Sequence, residues 1–325
     1  MADSRETFAL FRVAAGARIG FGHLRRATVL AGALDRRCAI SIRGNVPAPA
    51  SFDAAPGTPA AALARWCPRL LVIDDLRASH ARPWLNAARR VGVPCASLHD
   101  LGLGAIPSDL AVDGSLVSRR YWPSRAVLNG ARFAVLGGDG QRRMRHHVHA
   151  QVTRVVVTLG GGRHRALTCV IARHLQVALP GVRIIVPTGC IRDNALSALA
   201  GDGIELVDAP DGVGSLLSSA DLAVVGGGLT LYEAALAAVP AVALPVVSAQ
   251  GPTVRAFVRA GLALSVSGGS PSAELGRRVA RRVAQLAGDP LRRRSMSALG
   301  PATIDGRGAS RVARALVALT ETSHG

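Results

Sequence analysis

Ala220-Asp221-Leu222-Ala223-Val224-Val225-Gly226-Gly227-Gly228-Leu229-Thr230-Leu231-Tyr232-Glu233 is the stretch that decides the fold. Leu222 to Val225 is an unbroken apolar run, the mark of a strand covered on both faces in a parallel sheet. Three glycines end it, and a helical pattern, Leu229 to Ala238, begins at once. Glycines here let a ligand approach the backbone, and the helix start offers unpaired N–H groups and a positive dipole end to an anion. Glu233 lies about one turn into the helix, where it can reach back toward the turn. An ordinary first-turn glutamate, stabilised by the macrodipole, would occupy the same position.

The same alternation extends in both directions. Strands are expected at Val155 to Leu159, Arg183 to Pro187, Ile204 to Val207 and Val242 to Pro245, with helices at Arg165 to Ala178, Val213 to Ser219 and Pro252 to Ala260. Thr158-Leu159-Gly160-Gly161-Gly162 makes a second glycine turn, at the end of the first of these strands, suited to a phosphate cradle of backbone amides. Ser272 to Thr320 reads as helical, interrupted near Gly288 and across Gly300 to Gly308. The first half repeats the pattern: strands at Phe8 to Ala14, Cys38 to Arg43, Leu70 to Asp74, Pro94 to Leu98 and Leu110 to Val112, helices at Leu24 to Arg36 and Ala81 to Val91, and a Pro/Ala-rich loop at Asn45 to Pro59. Between the halves, Gly137-Gly138-Asp139-Gly140 and a His/Arg-rich segment break the structure. The expected organisation is a domain over 1–138, a linker over 139–152 and a second domain over 153–325. The fold class is α/β: two Rossmann-like, doubly wound domains facing a cleft.

Gly20-Phe21-Gly22-His23-Leu24-Arg25-Arg26 follows the first strand and opens the first helix. Arg25 stands where a dinucleotide fingerprint would need its third glycine, which argues against NAD. His23 instead puts a titratable group at the carboxyl end of the first strand, where open α/β sheets bind ligands; a histidine that merely caps a turn is the plain alternative. Asp74 and Asp75 end the third expected strand at the same edge, and either could orient His23 or a water, or cap a helix. Asp100 and Asp109 are lesser candidates. His146-His147-Val148-His149 has a spacing that invites a metal, but no carboxylate or cysteine pattern accompanies it.

The formal charge is +18, from 39 basic and 21 acidic residues, and the 18% of charged residues is low against about 25% in ordinary domains. Every basic residue is arginine. With no lysine, a Walker P-loop and Schiff-base or pyridoxal-phosphate chemistry are excluded. Aromatics are 3% of the chain, too few to stack a single strand, and no zinc-finger or RNP signature is present, so nucleic acid is not an expected partner. The run Arg277-Arg278, Arg281-Arg282, Arg292 to Arg294 reads as a solvated helix face, with weak contact to an anionic membrane surface as the alternative. Five dispersed cysteines form no CxxC pair and suit reduced thiols. The polar start, Met1 to Glu6, and the lack of an apolar run of membrane-spanning length make the expectation a cytoplasmic protein.

Taken together, GxGHxxR at Gly20–Arg26, the GGG turn at Gly160, and GGGxTxYE at Gly226–Glu233 followed by Val239-Pro240 and a Pro245-to-Gln250 loop resemble the GT-B group. That group includes the lipid-intermediate N-acetylglucosamine transferase of peptidoglycan synthesis. Ile304-Asp305-Gly306-Arg307-Gly308-Ala309-Ser310-Arg311-Val312 and Asn129 to Leu136 are more similar to the nucleotide-sugar hydrolase of the pseudaminic acid pathway and its spore-coat polysaccharide relatives. The resemblance spans nearly the whole chain, in order. It makes His23 the catalytic histidine near the anomeric carbon, with Asp74 or Asp75 beside it, and makes Arg26 a partner for phosphate or a neighbouring carboxylate. Gly227, Gly228, Thr230 and Glu233 would hold the nucleotide's diphosphate and ribose, Gln250 would face the sugar, and Gly20, Gly22, Gly160 and Gly161 complete the expected substrate- and nucleotide-binding set. Ala249 and Arg163-His164 depart from the residues usual in that family. The implied reaction releases free sugar and UDP by C–O cleavage at the anomeric carbon, without metal or cofactor and with histidine as general base. A GT-B glycosyltransferase using a UDP-sugar is the alternative, and a non-catalytic sugar or nucleic-acid binder the third reading.

Overall fold

A computed structural model of the chain describes residues 6–16, 19–75, 77–99, 106–117, 123–137, 148–160, 164–188, 199–201, 203–209 and 212–322. The chain divides into two compact units, Met1–Gly137 with Arg307–Gly325, and Gly138–Gly306.

In the first unit the order is β1 (Ala9–Ala14), α1 (Gly22–Leu34), β2 (Cys38–Arg43), β3 (Asp53–Ala54), α2 (Pro59–Trp66), β4 (Leu70–Asp74), α3 (Ala78–Arg90), β5 (Cys95–His99), β6 (Leu110–Asp113) and β7 (Ala126–Asn129). All strands pair in parallel, in the order β3-β2-β1-β4-β5-β6-β7. The order therefore reverses between β1 and β4, whose crossovers leave in opposite directions and open a crevice at the carboxyl ends of these two strands. Phe11, Val13, Val72 and Leu98 face one layer of helices with Leu30 of α1, and Leu10, Leu71 and Ile73 face the other with Trp84 and Leu85 of α3. The Pro/Ala-rich stretch expected to be all loop holds β3 and delivers the chain to α2. That helix starts where Thr58 accepts a hydrogen bond from the Ala61 amide and Pro59 takes the first position, two strong start signals. Cys38 and Cys95 are buried in these cores; burial pushes the Cys38 thiol up to about 12 and raises Cys95 as well.

The second unit runs β8 (Arg154–Thr158), α4 (Arg165–Ala178), β9 (Arg183–Pro187), β10 (Ile204–Val207), α5 (Gly214–Ser218), β11 (Leu222–Gly226), α6 (Leu229–Leu236), β12 (Ala241–Leu244), α7 (Gly251–Arg259), β13 (Ala263–Ser265), α8 (Ala273–Ala287) and α9 (Pro290–Thr303). Its parallel sheet has the order β10-β9-β8-β11-β12-β13, reversing between β8 and β11. Val155, Val157 and Val224 of the sheet meet Ile171 and Leu175 of α4 and Val279 and Val283 of α8. Buried Asp221 ties the sheet's amino-terminal edge together, accepting from the Thr153 amide and hydroxyl and the Arg154 amide at 2.9–3.0 Å. Arg293 of α9 is fully buried and donates at 2.7 Å to the carbonyls of His149 and Ala150, so the end of the expected linker is fastened into this unit. Helix α8 buries Leu275, Val279, Val283 and Leu286 and leaves Arg277, Arg278 and Arg281 exposed, but the expected solvated face does not extend through the whole arginine run: Arg293 is buried, because its guanidinium is used to hold the His149 and Ala150 carbonyls.

The last helix, α10 (Gly308–Thr322), corrects the expected boundary at 153–325. It belongs to the first unit, where it packs on α1 and adds Val312 and Leu316 to the core around Leu30 and Val72. Among the described residues no helix is long and apolar enough to cross a membrane.

Candidate functional site

Each sheet carries sequence-selected residues at its reversal point. In the first unit the chain leaves β1 and folds back through Gly16 and Gly20, which exchange backbone hydrogen bonds at 3.1 and 2.7 Å. Gly20 has φ +97°, a conformation that a side chain would strain. Gly22 then begins α1, and Phe21 before it supplies no side-chain cap. His23 and Arg26, three residues apart, lie on one helix face and turn toward β4.

There they meet Asp74. His23 Nδ1 lies 2.8 Å from Asp74 Oδ1, Arg26 Nε donates to Oδ2 at 2.6 Å, and an Arg26 terminal nitrogen donates to Oδ1 at 2.5 Å. The same terminal nitrogen is 3.1 Å from His23 Nδ1. The three residues are 7%, 5% and 1% exposed. Burial by itself would raise the Asp74 carboxyl; the charges and hydrogen bonds of Arg26 and His23 outweigh it and hold the group below the usual carboxylate range. Nδ1 thus faces an acceptor, Asp74 Oδ1, at 2.8 Å and a donor, Arg26, at 3.1 Å; a hydrogen on Nδ1 serves the shorter contact and leaves Nε2 as the basic position.

Asp75 does not share this arrangement. Successive strand residues point to opposite faces, and Asp75 turns away to Arg43 at the end of β2. Arg43 donates to both its oxygens at 2.7 Å, and the Arg77 amide donates at 3.3 Å. Its carboxyl, too, is lowered, burial being overcome chiefly by the Arg43 hydrogen bonds. Of the two aspartates, Asp74 is the one in contact with His23, and Arg26 pairs with that carboxylate. Asp109 accepts from the Cys95 amide at 2.8 Å and fixes the start of β5. Asp100 lies outside the described residues, as do His146 and His147.

In the second unit, β8 ends next to Gly160, whose φ is +95°; Gly161 and Arg163 lie outside the described residues. At the end of β11, a Cβ on Gly226 would stand 2.9 Å from the Leu159 carbonyl oxygen, so the two strand ends touch. A Cβ on Gly227 would stand 2.7 Å from Val254 Cγ2 and 2.8 Å from Gln250 Cβ. Gly228 differs: its backbone is extended, with φ −98°, and its nearest neighbour would be Gln250 Nε2 at 3.6 Å. It precedes α6 without capping it. Thr230 and Glu233 are the second and fifth residues of α6, both partly exposed. Gln250 Oε1 accepts from the amides of Gly227 at 3.1 Å and Val246 at 2.9 Å, so its carbonyl clasps the glycine turn to the loop after β12. That leaves the amide nitrogen as the end of Gln250 able to face a sugar.

Two features escaped the sequence reading. Arg43 was signalled only as a charge closing an otherwise uncharged strand. His99 closes β5 at the same carboxyl edge, with Nε2 2.7 Å from Ser97 Oγ, itself 2.7 Å from Ser108 Oγ.

The start of the last helix docks on the segment that holds Arg132 and Ala134. A Cβ on Gly308 would stand 2.0 Å from the Ala134 carbonyl oxygen, and Arg311 donates to the Arg132 carbonyl at 2.9 Å.

No family model and no curated protein sequence matches the chain. Solved structures do. MurG of Acinetobacter baumannii is 15% identical, with a TM-score of 0.64, over 95% of this chain and 99% of its own. A UDP-glucosyltransferase from Polygonum tinctorium capable of glucosylating indoxyl is 14% identical, with a TM-score of 0.64, over 99% of this chain and all of its own. A Streptomyces glycosyltransferase complexed with thymidine diphosphate is 15% identical, with a TM-score of 0.62, over 95% and 99%. With two parallel α/β sheets, each reversing once, and this likeness along nearly its whole length, the chain has the GT-B fold.

Proposed function

We propose that the protein is a glycosyltransferase that moves a sugar from a nucleoside diphosphate to an acceptor hydroxyl. The observation that carries this reading is the paired content of the two reversal points: a buried His–Asp pair at one, and an uncapped helix start behind glycine turns at the other. His23 Nε2 takes the acceptor's proton as its oxygen bonds to the anomeric carbon, and the bond from that carbon to the diphosphate oxygen breaks with its electrons. Asp74 keeps the ring oriented. The amides at the start of α6 and beside Gly160 receive the departing charge, Thr230 adds a hydroxyl, and Glu233 binds the ribose diol. Attack opposite the leaving group inverts the anomeric centre. UDP-sugars are the first donors to test and TDP-sugars the second, since neighbours of the same fold carry those names.

Water in place of the acceptor would make the same site a nucleotide-sugar hydrolase, the reading that Ile304 to Val312 suggests. Gly308 and Arg311 have a packing task against Ala134 and Arg132. This accounts for the segment without reference to the acceptor, so transfer takes precedence. The test is diphosphate release from UDP- and TDP-sugars with and without a panel of hydroxyl acceptors. Acceptor-dependent release that His23→Ala reduces by about 100-fold or more, the scale of general-base catalysis, is the expected result. Steady release without acceptor would identify a hydrolase, and His23→Ala turning over like the native protein would remove His23 from the mechanism.

A further inference from the structure

Histidine–carboxylate pairs in enzymes ordinarily leave the carboxylate's negative charge to act on the imidazole, which both orients the ring and favours its protonation. Asp74 is different, because a guanidinium occupies both of its oxygens, at 2.6 and 2.5 Å. Arginine does not lose its proton in proteins, and its planar fork fits a carboxylate in one geometry. The carboxylate that His23 touches is therefore already neutralised and already fixed in rotation.

We infer that Arg26 is a positioning residue for His23: it locks the Nδ1–H tautomer through Asp74 and opposes protonation of Nε2. This rests on His23 serving as the base. Two observations carry the inference. First, Asp74 Oδ1 accepts from both His23 Nδ1 and Arg26, so rotating the carboxylate away from the ring would break the arginine fork. Second, the Arg26 terminal nitrogen lies 3.1 Å from Nδ1, so a doubly protonated ring would set two positive charges side by side with little water between them.

Other charged groups on the surrounding elements are placed differently. Arg25 belongs to α1 and lies beside Gly137. Arg12 of β1 donates to Ser41 on the other sheet face, where Asp75 pairs with Arg43. The last helix contributes Arg311, bonded to the Arg132 carbonyl, with Arg314 and Glu321 farther along it. His99 ends β5 against Ser97, and Asp100 follows outside the described residues.

The test is the pH profile of kcat/KM in three variants of the full-length protein. Arg26→Gln removes the compensating charge and is expected to move the acid limb upward by about 1–2 units. Arg26→Lys keeps the charge and loses the fork, so its limb should stay near the native position while kcat falls. A purely structural arginine would lower activity in both variants and move neither limb, which would overturn the inference. His23→Ala separates the two levels: if it retains turnover the base assignment fails, whereas an unmoved limb in Arg26→Gln beside a dead His23→Ala removes only the role given to Arg26. Should Arg26→Gln not fold, ring nitrogen-15 shifts of the native protein decide. His23, identified among the nine histidines by its absence in His23→Ala, must show a protonated Nδ1 and a bare Nε2 at neutral pH, and the opposite tautomer would refute the inference.

Discussion

Replacing Gly228 with serine and, separately, Gly227 with alanine should split stability from ligand binding at adjacent positions. At Gly227 the added methyl would sit 2.7 Å from Val254 Cγ2 and 2.8 Å from Gln250 Cβ. Ordinary carbon contacts begin near 3.5 Å, so about 0.8 Å must be found. Val254 is buried and stiff about χ1, leaving Gln250 to yield. Its Oε1 would then lose one of the two backbone amides it holds. Overpacking of this kind costs about 1–3 kcal/mol and the lost hydrogen bond about 1 more. Gly227→Ala should thus melt several degrees lower, at about 2–4 °C per kcal/mol in a domain of this size. At Gly228 the methylene meets nothing closer than 3.6 Å, the backbone is one that serine adopts, and serine is a favoured residue before a helix. Gly228→Ser should melt at or slightly above the native temperature. Its hydroxyl oxygen, however, would accept the very amides that a diphosphate needs. Losing one charged hydrogen bond, about 1.5–3 kcal/mol, means UDP or TDP binding about 10–150-fold weaker by calorimetry. Native-like affinity in Gly228→Ser would show that the diphosphate does not bind at the start of α6. Native-like stability in Gly227→Ala would refute the packing argument.

The carboxylates of the first unit predict an acid limit. Asp74 and Asp75 are both held below the usual range, so their stabilisation is complete above about pH 5 and disappears as the pH falls through their lowered values. Denaturant titrations should show stability falling with acid below about pH 4, and Asp75→Asn should flatten that fall while lowering stability at pH 7; a slope unchanged by the substitution would refute the assignment. Gly308→Val should destabilise the protein by about 2 kcal/mol or more, because its Cβ would overlap the Ala134 carbonyl. The fraction that folds should turn over substrate at the native rate per active site, and a selective loss of turnover would return that segment to the reaction.

How far these features could be read in advance depended on how local their causes are. Leu70–Asp74 and Leu222–Gly226 were legible because a strand covered on both faces must be apolar throughout. Asp53–Ala54 and Ala126–Asn129 were not: the first is two residues long inside a Pro/Ala-rich stretch, and the second is a partly exposed edge strand with no alternation to betray it. His23 could be singled out from its position after a glycine turn. The period-2 rule already said that Asp74 and Asp75 face opposite ways, but nothing local says which face lies under α1. Gly308–Thr322 shows the same limit at larger scale. Its amphipathic pattern announces a helix, yet chain order suggested the wrong unit, and only its packing against Leu30 and Val72 assigns it to the first.

That helix also bears on how resemblance should be weighed. A glycine is retained in a motif either because a ligand needs the space or because the chain does, and a Cβ test separates the two. Gly308 fails it against backbone, and the neighbouring Gly114 fails it against the same residue, Ala134, whose Cα would lie 2.6 Å away. Ala134 is thus gripped between two glycines, one on each side, and the segment Asn129 to Leu136 and the closing segment form the two halves of one clasp. Whether water or a hydroxyl attacks depends on the groups beside His23 Nε2, and a shared clasp at the last helix says nothing of those.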